Sequence, residues 1–360
     1  MSSLSIIIPT FNESETITRL LAEIQNSLVM VDYEIIVVDD DSPDQTAEII
    51  REFILSREIN NIYCINRVWS KGLSSAVIEG VSLASKDLIC VMDGDGQHDP
   101  MDVLKMLEQF NSDEIDLMIG SRFFEINHSV GLSATRNKLS NFGIQCCNFF
   151  LKSKLSDPLS GFFLIKRHLI LNSRSALYKD GFKILLDLMM MQPELMVSEM
   201  QINFRQRSGG ESKLNLSTVF SLIGQIVENL TNGIISAGFL VFSMVGSFGV
   251  LLHLLLLSFL LSLEFTFISA NISSTLVAMT SNYLLNNFLT FHNIHNTYQK
   301  KILGLIKYTL ANSLSIFANI GIASQLFGNN FSVLSSALVG IFAGLILNYF
   351  LSRNIVFKND

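Results

Sequence analysis

The chain has 360 residues, a mean hydropathy of +0.41 and only 16% charged side chains. That is too apolar for an ordinary soluble enzyme, and it excludes disorder, collagen and coiled coil. A net charge of −7 leaves no basic stripe to neutralise a run of phosphates, which argues against nucleic acid as a partner. The charges are also unevenly spread. Residues 1–213 carry 20 basic and 29 acidic side chains, whereas Lys and Arg are absent between Lys213 and Lys300, where Glu228 and Glu264 are the only acids. The sequence thus predicts a charged domain over 1–230 and an apolar one over 231–360.

The first residues, MSSLSIIIPTFNE, lack a basic segment and run straight into a strand, which does not read as a signal peptide. Apolar runs predict strands at 4–8, 33–38, 61–66, 87–92 and 116–120, alternating with helices near 14–28, 43–57, 73–85 and 101–110. Such alternation implies a parallel sheet covered by helices on both faces, with ligands beyond the carboxyl ends of the strands. Cys64, Cys90, Cys146 and Cys147 form no CxxC or metal spacing and read as reduced, apolar side chains.

Acidic residues gather at the expected strand ends: Pro9-Thr10-Phe11-Asn12-Glu13, then Asp39-Asp40-Asp41-Ser42, then Asp93-Gly94-Asp95-Gly96-Gln97-His98-Asp99. Neither GxGxxG nor GxxxxGK[ST] occurs, so no glycine-rich loop cradles phosphate. Carboxylates approach a diphosphate only with a divalent cation between them, and Mg²⁺ or Mn²⁺ bound by one or two acids plus phosphate oxygens fits this pattern. Asp93 and Asp95 alone are equally readable as turn residues; it is the recurrence of acids at three strand ends that favours the metal. His98 has no partner histidine and reads as a loop residue, and Met189-Met190-Met191 reads as core packing.

Two amphipathic stretches follow, at 137–152 and 214–230. By pattern alone the first, with Leu139, Phe142, Cys146, Phe149 and Phe150 on its apolar stripe, suits packing on the domain core, but together the two are expected as amphipathic interface helices that set the catalytic cleft beside the headgroup layer. The second runs into the apolar half and reads as lying along a bilayer surface. Four membrane spans are expected near 234–262, 268–290, 303–327 and 331–351. Lys and Arg follow only the second span (Lys300 and Lys301, with Lys307 just inside the third) and the fourth (Arg353, Lys358), which places the charged domain and both termini in the cytoplasm by the positive-inside rule. Residues 282–293, NYLLNNFLTFHN, match 348–359, NYFLSRNIVFKN, at an offset of 66. Either a two-helix hairpin has been duplicated or two similar helix ends share an interface; the in-register N-Y pair and final aromatic favour duplication.

The motifs PTFNE, VVDDDSPD, KGLSSAVIEG, MDGDGQHDP, GSR, DPLSGF and RSGGESKL occur in this order over about 1–230. Together they resemble the polyprenyl-phosphate glycosyltransferases of the GT-A fold, above all the dolichol-phosphate mannose synthases. The apolar half is similar, more weakly, to GtrA-like membrane domains through N-Y-x-x-x-R-x-x-V-F at 348–357. The QxxRW motif of processive relatives is absent, since Trp69 is the sole tryptophan and follows Arg67-Val68. The resemblance implies a parallel-rich α/β domain followed by four transmembrane helices. It implies metal-dependent, inverting transfer of one hexose from GDP-mannose, or from UDP-glucose as the alternative, to a polyprenyl or dolichyl phosphate. A transporter of lipid-linked sugar is the rival from another class, and a homo-oligomer is compatible with either. Carried over by motif, Asp93, Asp95 and Gln97 would form the metal shell, and Pro9, Phe11, Glu13, Asp39 and Asp41 would surround the nucleoside. Arg122 and Arg136 would clamp the acceptor phosphate, Ser160 would shape the sugar pocket, and Arg207 and Lys213 would flank a lid. For Arg122 and Arg136 the plain alternative is a surface salt bridge; for Arg207 and Lys213 it is contact with lipid headgroups.

Overall fold

The computed structural model describes residues 3–69, 71–112, 114–123, 143–173, 177, 183–205, 216–231, 233–265, 267–290, 297–329, 331, 339, 342, 343 and 346–356. The chain divides into two compact units, Met1–Lys213 and Leu214–Asp360. In the first, strands β1 (Leu4–Thr10), β2 (Tyr33–Asp39), β3 (Ile62–Asn66), β4 (Leu88–Val91) and β5 (Leu117–Ser121) alternate with helices α1 (Ile17–Ser27), α2 (Thr46–Ser56), α3 (Leu73–Leu83) and α4 (Pro100–Ser112). After α5 (143–150) come β6 (Phe163–Lys166), α6 (Arg167–Ser173), α7 (Ile184–Met191) and β7 (Val197–Gln201).

The sheet has seven strands in the order β3-β2-β1-β4-β6-β5-β7. The first four are mutually parallel, β6 runs antiparallel to β4 and β5, and β7 returns parallel to β5. Strand order reverses between β1 and β4, the switch point whose carboxyl-end crevice is the usual ligand site of open α/β sheets. Strand β1 is central and buried along its whole length, which is why its sequence is a continuous apolar run rather than an alternating one. Ile6 and Ile8 join the core with Leu20, Leu21 and Ile24 of α1 and Met106 of α4. Ile7, on the opposite face, meets α3, where a Cβ on Gly80 would come within 2.6 Å of the Ile7 Cγ2. Only glycine lets α3 lie that close to β1.

Below the sheet's amino end, Glu34 joins β1 and β2 to the turn before β4. Its carboxylate accepts from Ser5 Oγ at 2.6 Å, Ser85 N at 2.6 Å and Ser85 Oγ at 3.0 Å. Burial pushes the acid upward, but the bonds from Ser5 and Ser85, with Lys86 nearby, bring it below its ordinary 4.5.

The second unit is helical. Its α8 (Leu216–Leu230) packs on α9 (Ala237–Ser262), since Gly224 leaves no room for a Cβ against Ala237. Ser236 caps α9 by accepting from Phe239 N at 3.2 Å, and Glu228 accepts from Ala237 N at 2.7 Å. Helices α10 (Phe267–Leu285) and α11 (Tyr298–Gly328) follow. Among the described helices, α9 alone is long and apolar enough to cross a membrane, with a hydropathy of 2.3; α10 occupies the second expected span but is interrupted by Asn, Ser and Thr. Most of the fourth expected span lies outside the described residues.

Both copies of the repeat carry a π-helical turn at the same register, Asn286–Thr290 and Ser352–Val356, again 66 residues apart. Their contacts are exchanged between copies. Tyr283 of the first packs on Tyr308 of α11 with ring centroids 5.7 Å apart, and Tyr349 of the second packs on Phe242 of α9 at 5.6 Å. Because 242 and 308 are themselves 66 apart, the two contacts join residues at matching positions of the repeat.

The Glu34 carboxylate should stabilise the first unit fully above pH 4.5 and cease to do so as pH falls through its lower folded value. Glu34→Gln is therefore expected to lower the melting temperature at neutral pH and to flatten its decline in acid; parallel acid limbs for the two proteins would contradict this.

Candidate active site

The loops after β1 and β2 are stitched together by side chains. Asn12 N donates to Ser42 Oγ at 3.0 Å, Glu13 N to Thr46 Oγ1 at 3.1 Å, and Ser14 N to Asp44 Oδ2 at 3.0 Å. Asn12 and Asp41 adopt positive φ of 59° and 55°, a conformation that Asn and Asp tolerate better than other non-glycine residues. Pro9 sits within β1, Phe11 is exposed at the rim, and Glu13 is buried behind it with Oε2 accepting from Thr16 Oγ1.

The three acids after β2 take different partners. Asp39 is wholly buried and accepts from Thr10 Oγ1 at 3.0 Å, Ser42 N at 2.9 Å and Ser42 Oγ at 2.6 Å. In this geometry it shapes the rim from beneath. Asp40 is buried in an ion pair with Arg67 and accepts from Gly72 N at 2.7 Å. Arg67 in turn donates to Gly72 O and Ser75 Oγ, so this pair fixes the head of α3 to the end of β2. Asp41 stays at the surface and meets Lys71 Nζ at 2.9 Å.

The β4 loop lies across the switch point. Thr16 Oγ1 donates to Gly94 O at 3.2 Å, and a Cβ on Gly94 would press on Thr10. Asp95 Oδ1 accepts from Gln97 N at 3.1 Å, an Asx-type turn. The Gln97 amide donates to Arg205 O at 3.1 Å, while Arg205 N donates to Gln97 O at 2.8 Å. His98, expected as a loop residue, is instead nearly inaccessible. Its ring lies between Phe162 and Phe204, with centroids 4.8 and 5.5 Å away, and its Nε2 is 3.3 Å from Asp93 Oδ2. Nothing in the local spacing signals this, because both aromatic neighbours come from distant segments.

Asp93 is also approached by Gly161, where a Cβ would overlap its carboxylate at 2.6 Å. Burial alone would raise the Asp93 acid. The hydrogen bond and charge of His98, then the charges of Lys183 and Arg122, outweigh it and hold the acid at about 2.

Arg122, at the end of β5, grips Asp157 through two parallel bonds, Nε to Oδ2 at 2.7 Å and Nη2 to Oδ1 at 2.9 Å. Asp157 is wholly buried, so the pair belongs to the interior rather than to the surface bridge weighed above. Burial opposes the Arg122 charge, but Asp157, with Asp93 and Asp95 behind it, raises its pKa overall. Glu199 of β7 holds Asp157 from the far side, accepting from Ser156 N at 2.9 Å and Asp157 N at 3.3 Å. Ser160 is buried and donates to Gly120 O at 2.7 Å, tying the same turn to β5. A second cation joins them. Lys183, at the start of α7, donates to Leu159 O at 2.9 Å. Burial and the charge of Arg122 lower its pKa, against the carboxylates of Asp93 and Asp157.

Asp93, Asp95, Gln97, Arg122 and the Asp157–Gly161 turn are thus brought to one crevice, beside the rim that carries Pro9, Phe11, Glu13, Asp39 and Asp41. Arg136, Arg207 and Lys213 lie outside the described residues. Motif reasoning missed Asp157 as the partner of Arg122, and also Glu199, His98 and Lys183. Among the described residues no group of three His, Cys, Asp or Glu side chains is placed to hold a metal by itself. An ionised Asp93 beside Asp95 nevertheless suits a small hard cation that takes one or two carboxylates and completes its shell with substrate oxygens. Gln97 offers an amide oxygen next to them, its NH₂ being directed to Arg205.

Removing Asp157 strands Arg122 in a largely buried site. Asp157→Ala should destabilise the first unit by about 3 kcal/mol, the lower end for a broken buried pair because Arg122 is partly exposed. Denaturant midpoints measured on the variant check this; an unchanged midpoint would mean that the fork is not holding the turn.

Residues 5–172 match the family model of glycosyl transferase family 2, and residues 241–357 match that of the GtrA/DPMS transmembrane domain. A dolichol-phosphate mannosyltransferase from Pyrococcus furiosus is 31% identical over 354 residues, covering 98% of both chains. One from Mycosarcoma maydis is 32% identical over 239 residues, 63% of this chain and 78% of the relative. Among solved structures, glucosyl-3-phosphoglycerate synthase from Mycobacterium tuberculosis overlaps with a TM-score of 0.49 at 18% identity, over 65% of this chain and 80% of that one, a likeness too slight to bear on function. The mixed seven-stranded sheet, with the family match laid over it, has the GT-A arrangement, and the second unit makes this a membrane protein. With 98% of its length aligned to such a relative, the chain belongs to glycosyl transferase family 2, as a glycosyltransferase that carries a GtrA/DPMS transmembrane domain.

Proposed function

We propose that this glycosyltransferase moves one hexose, with inversion, from a nucleoside diphosphate sugar to the phosphate of a polyprenyl or dolichyl phosphate at the cytoplasmic face of a membrane. GDP-mannose is the favoured donor. The observation that carries the reading is the Asp93–Asp95 turn, its first acid held ionised, in one crevice with the Arg122–Asp157 fork. The names of the full-length and partial relatives support the mannosyl donor and the dolichyl acceptor.

A phosphomonoester is already anionic near neutral pH, its second pKa being about 6, so the nucleophile needs no dedicated base. The protein's tasks reduce to neutralising the departing diphosphate and aligning the incoming phosphate with the anomeric carbon. Asp93 and Asp95, with Gln97 beside them, would hold Mg²⁺ or Mn²⁺, which when bound supplies the positive charge that a diphosphate leaving group requires. Pro9, Phe11, Glu13 and Asp41 line the nucleoside side, with Asp39 supporting that rim from below. Arg122 and Arg136 receive the acceptor phosphate; because Nε and Nη2 of Arg122 are committed to Asp157, its remaining Nη1 is the nitrogen offered. Ser160 shapes the sugar side through the turn that it anchors; Arg207 and Lys213 are assigned by motif alone to a segment that would close over the diphosphate.

The 137–152 stretch bears on membrane placement. Its apolar stripe suits core packing by pattern and the membrane interface by its pairing with the second stretch; Phe149 is 79% exposed and stacks edge-on against an exposed Phe150 at 5.0 Å, while Cys147 turns inward. Two exposed rings suit the headgroup layer better than water, so this edge is read as the one that meets lipid.

Full-length protein in detergent should transfer label from GDP-mannose to a polyprenyl phosphate, stop on addition of EDTA and recover with Mn²⁺ or Mg²⁺. UDP-glucose should compete poorly. Asp95→Ala is expected to cut turnover at least a thousandfold with the melting temperature held. A metal-independent product, or no lipid product at all, would sink this reading and leave sugar-lipid transport as the rival.

A further inference from the structure

Four separate attachments converge on the Asp157–Gly161 turn. Arg122 forks onto Asp157, Glu199 accepts from its backbone, Ser160 ties it to β5, and Lys183 Nζ donates to Leu159 O at 2.9 Å. The first three come from β5, β7 and the turn itself. Lys183 comes from the head of α7 and is the one that also carries charge into the crevice, where it acts on Asp93, Asp157 and Arg122 together. The turn is therefore a spacer between two functional sides. At one end Gly161 abuts the Asp93 carboxylate so closely that no Cβ fits; at the other, Asp157 sets the direction of the Arg122 fork.

A half-buried lysine beside an arginine is unfavourable unless acids lie near both. Here Asp93 and Asp157 do so, and the resulting set of two cations and two acids can stay compact only while both cations are present. An ammonium is a compact point charge with three donors, and Leu159 O takes one of them. Replacing it by an apolar side chain would leave Asp93 and Asp157 with Arg122 as their remaining shared cation and let the turn shift.

We propose that Lys183 is a positioning residue for hexose transfer: bonded to Leu159 and lying among Asp93, Asp157 and Arg122, its charge fixes the turn that sets the donor-side carboxylate and the acceptor-side guanidinium at their working separation. This rests on the functional reading above. Misplacing reacting groups by about 1 Å can cost a hundredfold in rate without weakening either ground-state complex. The effect of Lys183 falls on kcat rather than on either KM.

Three variants of the full-length protein test this with GDP-mannose and a short-chain polyprenyl phosphate. Lys183→Met removes bond and charge, Lys183→Gln keeps a donor for Leu159 without charge, and Lys183→Arg keeps both. For Lys183→Met and Lys183→Gln, kcat should fall ten- to a hundredfold while both KM values stay within threefold; Lys183→Arg should recover most of the rate. Should Lys183→Met not fold, the comparison of Gln with Arg decides alone. A kcat for Lys183→Gln within threefold of the unaltered protein would overturn the inference, as would Arg and Gln variants equally impaired, or a loss confined to KM. Those outcomes presuppose an unaltered protein that forms lipid-linked hexose; absence of that product would instead remove the function proposed above.

Discussion

Carboxylates crowded at the rim of one sheet repel one another, and most of the first unit's polar architecture follows from how that repulsion is settled. Asp39 is satisfied by Thr10 and Ser42, Asp40 by Arg67 and the Gly72 amide, Asp44 by Ser14 and Thr46, Asp99 by Arg205, and Asp157 by Arg122. Each such acid fastens one loop to another, so the charge becomes structural. Asp93 is treated differently. It meets a histidine at 3.3 Å, a glycine that clears space beside it, and the charges of a lysine and an arginine. It is held ionised without being consumed by a fork of its own.

Much of this was legible in the sequence where physics is local. Strands β1 to β5 and helices α1 to α4 follow from apolar runs and from spacings such as Ile17, Leu20, Leu21 and Ile24, and the acid clusters fall at strand ends as expected. Strand β6 was missed because Phe163–Lys166 is only four residues within a longer apolar stretch, and β7 because Val197–Gln201 is half polar and only partly buried. The antiparallel turn of β6 has no signature in its own residues. It is this strand, however, that threads the Asp157–Gly161 turn between β4 and β5.

The site residues divide along the same line. Asp93, Asp95 and Arg122 announce themselves by motif, yet their neighbours do not. His98 was read as a loop residue because its ring partners, Phe162 and Phe204, lie 64 and 106 positions away. Lys183 belongs to no motif, and its bond to Leu159 spans 24 positions. Spacing reveals which residues share a strand end; it does not reveal which distant carbonyl or carboxylate will be waiting there.

The second unit meets the problem of buried polar groups with a different chemistry. Asn286, Asn287 and Ser352 are all buried, and the Tyr308 hydroxyl lies within hydrogen-bond reach of Asn286, Asn312 and Asn348. Asn348 donates to Asn312 at 2.7 Å, so residues from both copies of the repeat meet at one tyrosine. A charge in such a place would cost far more in hydrocarbon than at the rim of the sheet. Neutral groups meet one another instead, Asn348 on Asn312, Thr290 Oγ1 on Asn286 Oδ1 at 2.9 Å and Ser352 Oγ on Asn348 Oδ1 at 3.3 Å, without a counter-ion. Copies that exchange equivalent contacts, Tyr283 on Tyr308 and Tyr349 on Phe242, need complementary polar groups at matching registers. Asn and Ser at 282, 286, 348 and 352 stand at those matching registers, with the N-Y pair and a polar position four residues after its Asn in both segments.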